Sequence, residues 1–81
     1  MKRMILASNE AASNQLLEQA NQSLYDTWWN YAEDNVSYSW VVRKVINTVK
    51  FAFTDDEIPL PKGWRDTVKK YVEDHYDDYD W

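Results

Sequence analysis

Residues 36–53, VSYSWVVRKVINTVKFAF, decide between an all-helical fold and a mixed one. Valine and isoleucine are poor helix formers and common in strands, and the first seven residues, 36–42, alternate as a strand would. Beyond them, Arg43, Lys44 and Lys50 break a period of two residues but fit a period of 3.6. We therefore predict a helix over about 36–53, in which packing of one apolar face overrides low intrinsic propensity.

Two further segments, one on each side of this stretch, have helical periodicity. Over about 9–33, apolar residues recur at steps of three and four, the pattern of a buried stripe: Leu17, Ala20, Leu24, Trp28 and Tyr31. Over about 62–80, an apolar and aromatic arc lies opposite an arc of carboxylates. Both prolines fall within 54–63, which we predict to be the main loop because proline disfavours a continuous helix.

Three amphipathic helices with short connections predict a single all-α domain over 1–81, a small antiparallel bundle that dimerisation could complete. A lower-ranked alternative is an α+β fold with short strands at 4–7 and 36–42. In the bundle we expect large apolar side chains of all three helices to be buried: Leu17, Leu24, Trp28, Val41, Val45, Val49, Trp64, Val68 and Tyr71.

The net charge of −5 lies entirely in the last third of the chain. Residues 1–54 carry five bases and five acids, whereas residues 55–81 carry four bases and nine acids. Such acidity argues against direct binding of nucleic acid, which depends on Lys and Arg releasing counterions. There is no cysteine, the apolar run at 4–7 is too short for a signal peptide, and no run could span a membrane. We therefore expect a cytoplasmic protein with no membrane partner.

The chain ends YVEDHYDDYDW, residues 71–81, with five carboxylates, four aromatic rings and no Lys or Arg. Carboxylates near the C-terminus of a helix oppose its dipole, each by about 0.3–1 kcal/mol, and that cost favours a functional use over a merely solvated face. Within the acidic aromatic end, 73–81, we predict an acidic face that binds a cationic partner: Glu73, Asp74, Asp77, Asp78 and Asp80. We expect three rings to add apolar contact at its edge: Tyr76, Tyr79 and Trp81.

A second candidate contact surface combines rings with bases on the side of the middle helix opposite its valines. Together with Trp29 of the first helix, this side is a possible oligomer interface or second partner surface. Its residues are Trp29, Trp40, Arg43, Lys44 and Phe51. The alternative, favoured by the small size of the bundle, is that Trp40 and Phe51 pack beneath another helix of the same chain.

The sequence contains no recognisable motif of a catalytic or cofactor site. His75 is the only histidine, cysteine is absent, and one glycine cannot form a phosphate-binding loop. The acidic run near the end lacks the glycine turn and ligand spacing of a calcium loop. We therefore expect no enzymatic activity, no cofactor and no specific metal site.

These observations favour a small acidic, non-catalytic binding protein, an inhibitor or adaptor that occupies a basic surface of a partner protein. Spaced carboxylates can imitate a phosphate backbone, so this surface could itself be one that binds nucleic acid. Phage-encoded inhibitors and immunity-type proteins share this character, an analogy of composition alone. The alternative is a structural or accessory helical subunit that homodimerises through exposed aromatic residues.

Overall fold

A computed structural model describes the backbone of residues 2–81 and the side chains of residues 13–81, and it contains three α-helices packed against one another. The helices are α1 (Lys2–Tyr31), α2 (Tyr38–Asp55) and α3 (Trp64–His75). Short 3-10 turns follow α1 and α3, at Ala32–Asp34 and Tyr76–Asp78. Residues 2–81 contain no strand, so the all-α prediction is confirmed, and residues 4–7 and 38–42 of the alternative strands are helical.

α2 is helical despite its valines because one whole face is buried. Ser37 caps the N-terminus of the helix, because its Oγ accepts a hydrogen bond from the backbone N–H of Trp40 at 3.1 Å. Burying a valine side chain contributes about 1.5 kcal/mol or more, against a propensity penalty of at most about 0.7 kcal/mol. The buried residues of α2 are Val41, Val42, Val45, Val49 and Phe53.

The buried stripe of α1 differs from the predicted one, because Leu17 is exposed and Trp28 and Tyr31 are only half-buried. The buried residues of α1 are Leu16, Ala20, Ser23, Leu24 and Thr27. Leu16 is only 2% exposed, whereas Leu17, expected to be buried, is 42% exposed. The buried stripe cannot be recognised from hydrophobicity alone, because it includes two polar residues, Ser23 and Thr27. The Thr27 hydroxyl donates a hydrogen bond to the Ser23 carbonyl at 2.7 Å, so Thr27 is buried without an unpaired polar group.

The other predicted core residues are buried or half-buried. Those that are buried are Leu24, Val41, Val45, Val49 and Val68. The larger rings at the margins of the core are only half-buried: Trp28, Trp64 and Tyr71.

α3 is shorter at both ends than the predicted helix over 62–80. It begins at Trp64 because Gly63 has a left-handed backbone with φ of 74°, a conformation that glycine adopts without steric cost. It ends at His75, and Tyr79 is already extended. The Trp81 indole N–H donates to the Tyr76 carbonyl at 2.9 Å, which turns the last residues back onto the bundle.

The antiparallel order of the helices brings three chain segments together at one end of the bundle. Tyr31, at the end of α1, contacts Trp40 near the start of α2, with ring centroids 5.0 Å apart. Tyr38, the first residue of α2, contacts Tyr76 just after α3, also at 5.0 Å. This end therefore holds the 32–37 connection and the C-terminus of the chain. None of the described helices is long and apolar enough to cross a membrane.

Candidate functional site

Seven exposed carboxylates collect at this end of the bundle, which we call the acidic pole. Five are the acidic face predicted from the C-terminal sequence, and two come from the 3-10 turn after α1. They are Glu33, Asp34, Glu73, Asp74, Asp77, Asp78 and Asp80.

Few bases neutralise the acidic pole. Lys70 Nζ lies 3.7 Å from Asp74 Oδ2, in an exposed pair one helical turn apart. Such pairs contribute about 0–1 kcal/mol, so this one leaves most of the field in place. The only other ion pair among side chains 13–81 joins His75 Nδ1 to Asp78 Oδ2 at 3.0 Å, and it is charged only when the imidazole is protonated. The acidic pole therefore presents a concentrated negative charge to solvent.

The negative charge of these carboxylates contributes to raised pKa values of neighbouring tyrosines. Burial raises the pKa of Tyr38, and the charges of Glu73 and Asp74 raise it further. Burial also raises the pKa of Tyr79, with the charge of Asp78 adding to it. Each shift has the sign expected when negative charge disfavours a phenolate.

The N-terminus of α2 reduces the cost of gathering these charges. Carboxylates at the end of α3 oppose the dipole of their own helix, but α2 begins at Tyr38, whose ring contacts Tyr76 just after α3. The N-terminus of a helix carries partial positive charge that favours nearby anions. The antiparallel packing therefore offsets part of the repulsion that the sequence of α3 alone would predict.

Aromatic rings hold the last residues of the chain against α1 and α2. Tyr76 and Trp81 stack with centroids 4.9 Å apart and planes 7° from parallel. Tyr79 lies against Trp28 at 5.3 Å, and the Trp28 indole N–H donates to the Asp80 carbonyl at 3.1 Å. The three rings predicted to edge the acidic face are thus half-buried anchors of the segment, and only their remaining exposed parts can contact a partner.

His75 is placed as a packing residue at the end of α3. Its ring stacks on Tyr71 with centroids 4.1 Å apart, and its Nδ1 contacts Asp78. Tyr71 in turn donates its hydroxyl hydrogen bond to Asn21 Oδ1 at 2.8 Å, which connects α3 to α1. These packing and hydrogen-bond contacts are sufficient to explain the conformation of His75, the only histidine in the sequence.

The second predicted surface is divided between different parts of the molecule. Trp40, Arg43 and Lys44 line one cleft together with Asn47, and Trp40 also packs against the core. Trp29 lies on α1 and lines another cleft, and Phe51 lines neither. Trp29 and Phe51 are 70% and 72% exposed.

Local spacing in the sequence does not identify Glu33 and Asp34, because it groups only the C-terminal carboxylates that share one helix. The signal that finds them is topological, because in an antiparallel bundle the first connection and the end of the third helix meet. Both line a cleft of about 450 Å³ together with Trp28, Trp29, Asn30 and Ala32.

No group of three or more His, Asp or Glu side chains within the described part of the chain is arranged to hold a metal ion. Comparisons of the chain with protein-family models, with curated proteins and with solved structures found no match to any of them.

Proposed function

We propose that this chain is a small, non-catalytic binding protein whose acidic pole occupies a basic surface on a partner protein, as an inhibitor or adaptor. The single observation that carries the proposal is the density of negative charge: seven exposed carboxylates, only one of them paired with a lysine among side chains 13–81, at one end of an 81-residue bundle. They come from two separated stretches of sequence. Charge of one sign on one surface steers an oppositely charged partner and fixes its orientation.

The anchored C-terminal segment supports the proposal further. A frayed acidic tail would lose conformational entropy when it bound, whereas Tyr76, Tyr79 and Trp81 already fix the positions of Asp77, Asp78 and Asp80. Preordered charges bind with a smaller entropic cost, which lengthens the residence time of a complex. The exposed parts of the rings add apolar contact around the charges.

The test compares two variants that lose the same number of charges from opposite ends of the bundle. The acidic-pole variant carries Asp74→Asn, Asp77→Asn, Asp78→Asn and Asp80→Asn. The control variant carries Asp55→Asn, Asp56→Asn, Glu57→Gln and Asp66→Asn, all at exposed positions at the end of α2, in the loop or at the start of α3. Each has four fewer carboxylates than the parent.

Each protein is immobilised and used to capture partners from a lysate of the cells that make it, at low and at high salt. We expect the parent and the control variant to retain the same basic protein at about 0.1 M salt and to release it at about 1 M, where the Debye length falls from about 10 Å to 3 Å. We expect the acidic-pole variant to fold and to retain none. Equal capture by all three proteins would refute the proposal.

A second candidate function, a structural subunit that homodimerises, is supported by the exposure of large rings. Phe51 is 72% exposed on α2, beyond the cleft that contains Trp40. Native mass measured over a range of concentrations tests this function, since a dimer that dissociates on dilution and is lost in Phe51→Ala would support it. A monomer at every concentration would refute it.

A further inference from the structure

The cleft between the end of α1 and the following 3-10 turn combines aromatic walls with carboxylates. We propose that this cleft, lined by Trp28, Trp29, Asn30, Ala32, Glu33 and Asp34, binds the guanidinium group of an arginine side chain. The inference rests on the proposed function in one respect: we assign this arginine to the basic partner protein that binds the acidic pole.

One wall of the cleft is a ring that is already in place. Trp29 stacks on Tyr25 with ring planes 10° apart and centroids separated by 6.4 Å. Its exposure of 70% leaves the rest of the indole open to solvent. Arginine stacks on aromatic faces of this kind, and indole is the ring that attracts a cation most strongly.

The neighbouring ring is fixed by contacts with the C-terminal segment. Trp28 has its indole N–H bound to the Asp80 carbonyl, and its ring lies against Tyr79. The two indoles are 6.3 Å apart between centroids, with planes at 59°. A ligand therefore meets one wall, Trp28, whose position is set by these contacts, so little ordering of that ring is required on binding.

The carboxylates give the cleft its preference for a cation. Glu33 and Asp34 are exposed, and neither has a basic group within salt-bridge distance among side chains 13–81. A guanidinium group can stack on an indole and still direct its N–H donors at a carboxylate, because its plane holds five donors in a fixed fork. An ammonium group is a compact point charge without that planar face, and an anion would be repelled.

The probe is N-acetyl-arginine amide, with the uncharged isostere N-acetyl-citrulline amide as its control. Binding is followed by the indole N–H resonances of ¹⁵N-labelled protein, in which the five tryptophans give five signals. Replacing each Trp by Phe in turn assigns the signals. We expect arginine to shift the Trp28 and Trp29 signals with a Kd on the order of 1–10 mM, the range for a single exposed side chain. We expect citrulline to shift neither signal, and the Trp64 signal to stay in place with both probes.

Two pairs of variants separate the cleft from general surface effects. Glu33→Gln with Asp34→Asn is matched by Asp55→Asn with Asp56→Asn, which removes the same charge at the other end of the bundle. Trp29→Ala is matched by Phe51→Ala, another ring on the surface with nearly the same exposure. We expect the first member of each pair to weaken arginine binding at least about fivefold and the second less than about twofold.

Three results would overturn the inference. The first is equal shifts with arginine and citrulline, and the second is equal affinities within the matched pairs. The third is a Trp29 signal that moves on dilution without probe, because that movement would show that a second copy of the chain occupies the cleft. The result is independent of the lysate capture. If arginine fails to bind while the acidic-pole variant loses its partner, only the cleft is wrong. If arginine binds while that variant keeps its partner, only the proposed function is wrong.

Discussion

The placement of α1 is tested by truncating two adjacent leucines, one at a time. Leu16 is 2% exposed and belongs to the core, whereas Leu17 is 42% exposed and lines an open groove beside Tyr71. Leu16→Ala and Leu17→Ala remove the same atoms from neighbouring positions of the same helix. Because chemistry, helix propensity and sequence position are matched, any difference in stability between them reports burial.

The expected difference is large for a domain of this size. A buried Leu→Ala change costs about 2–5 kcal/mol of stability. This cost is the sum of the lost transfer free energy of the removed atoms and the free energy of the cavity left behind. An 81-residue domain has a total stability of about 4–12 kcal/mol, so a loss of about 3 kcal/mol is a large share of it. For Leu17→Ala we expect a change of at most about 1 kcal/mol, because a partly solvated side chain leaves no closed cavity and alanine is the better helix former.

Urea unfolding of both variants, followed by circular dichroism and by tryptophan fluorescence, measures the free energies. In thermal unfolding of the same variants, we expect the midpoint of Leu16→Ala to fall by roughly 12–24 °C, the shift that corresponds to about 3 kcal/mol in a domain of this length. The midpoint of Leu17→Ala should stay within a few degrees of the parent. If Leu17→Ala proves the more destabilising of the two, α1 presents a different face to the core, and the buried stripe described above is wrong.

Three further perturbations have expected outcomes. Trp81→Ala removes a stacked ring and a hydrogen bond to Tyr76, so we expect a loss of about 1–3 kcal/mol in urea unfolding and faster hydrogen exchange after α3. Ser37→Ala removes the N-cap of α2 and should cost about 0.5–2 kcal/mol in the same assay, a cost that Ser37→Asn, a cap without added charge, should not incur. The folded state raises the pKa of Tyr38, Tyr71 and Tyr79, in each case mainly through burial, so it keeps phenolic protons that the unfolded state loses. The stability that these phenols contribute is therefore complete below about pH 10 and falls as the pH rises beyond it. Urea unfolding at pH 8, 10 and 11, with absorbance at about 295 nm to count phenolates, should detect late ionisation of Tyr38, Tyr71 and Tyr79.

The fold class could be predicted because one period of hydrophobicity runs through most of the chain. In α2, Arg43, Lys44 and Lys50 fit only a helix, and that pattern outweighed the strand propensity of the valines. The face of α1 was harder to predict, because its buried stripe includes a serine and a threonine. A buried hydroxyl that donates to its own helix, as in Thr27, looks like a surface residue in the sequence.

The end of α3 could not be predicted from periodicity, since residues 76–80 continue the amphipathic pattern. What stops the helix is the contact of Trp81 with Tyr76 and of Tyr79 with Trp28, the last of which is 51 residues away along the chain. The acidic face was predicted from local spacing, and its five residues are all exposed. Glu33 and Asp34 complete the acidic pole only through the antiparallel order of the helices, which local spacing does not contain.

The affinity of the captured basic protein for three forms of the chain tests the central claim most directly. Calorimetry would give the Kd of the parent, the acidic-pole variant and the control variant at several salt concentrations. If the acidic pole is the binding surface, the parent and the control variant bind alike, with affinities that weaken steeply as salt rises. The acidic-pole variant then binds at least about tenfold more weakly at low salt, a loss of about 1.4 kcal/mol or more, with a shallower dependence on salt. An acidic-pole variant that binds as tightly as the parent, with the same salt dependence, would contradict the claim.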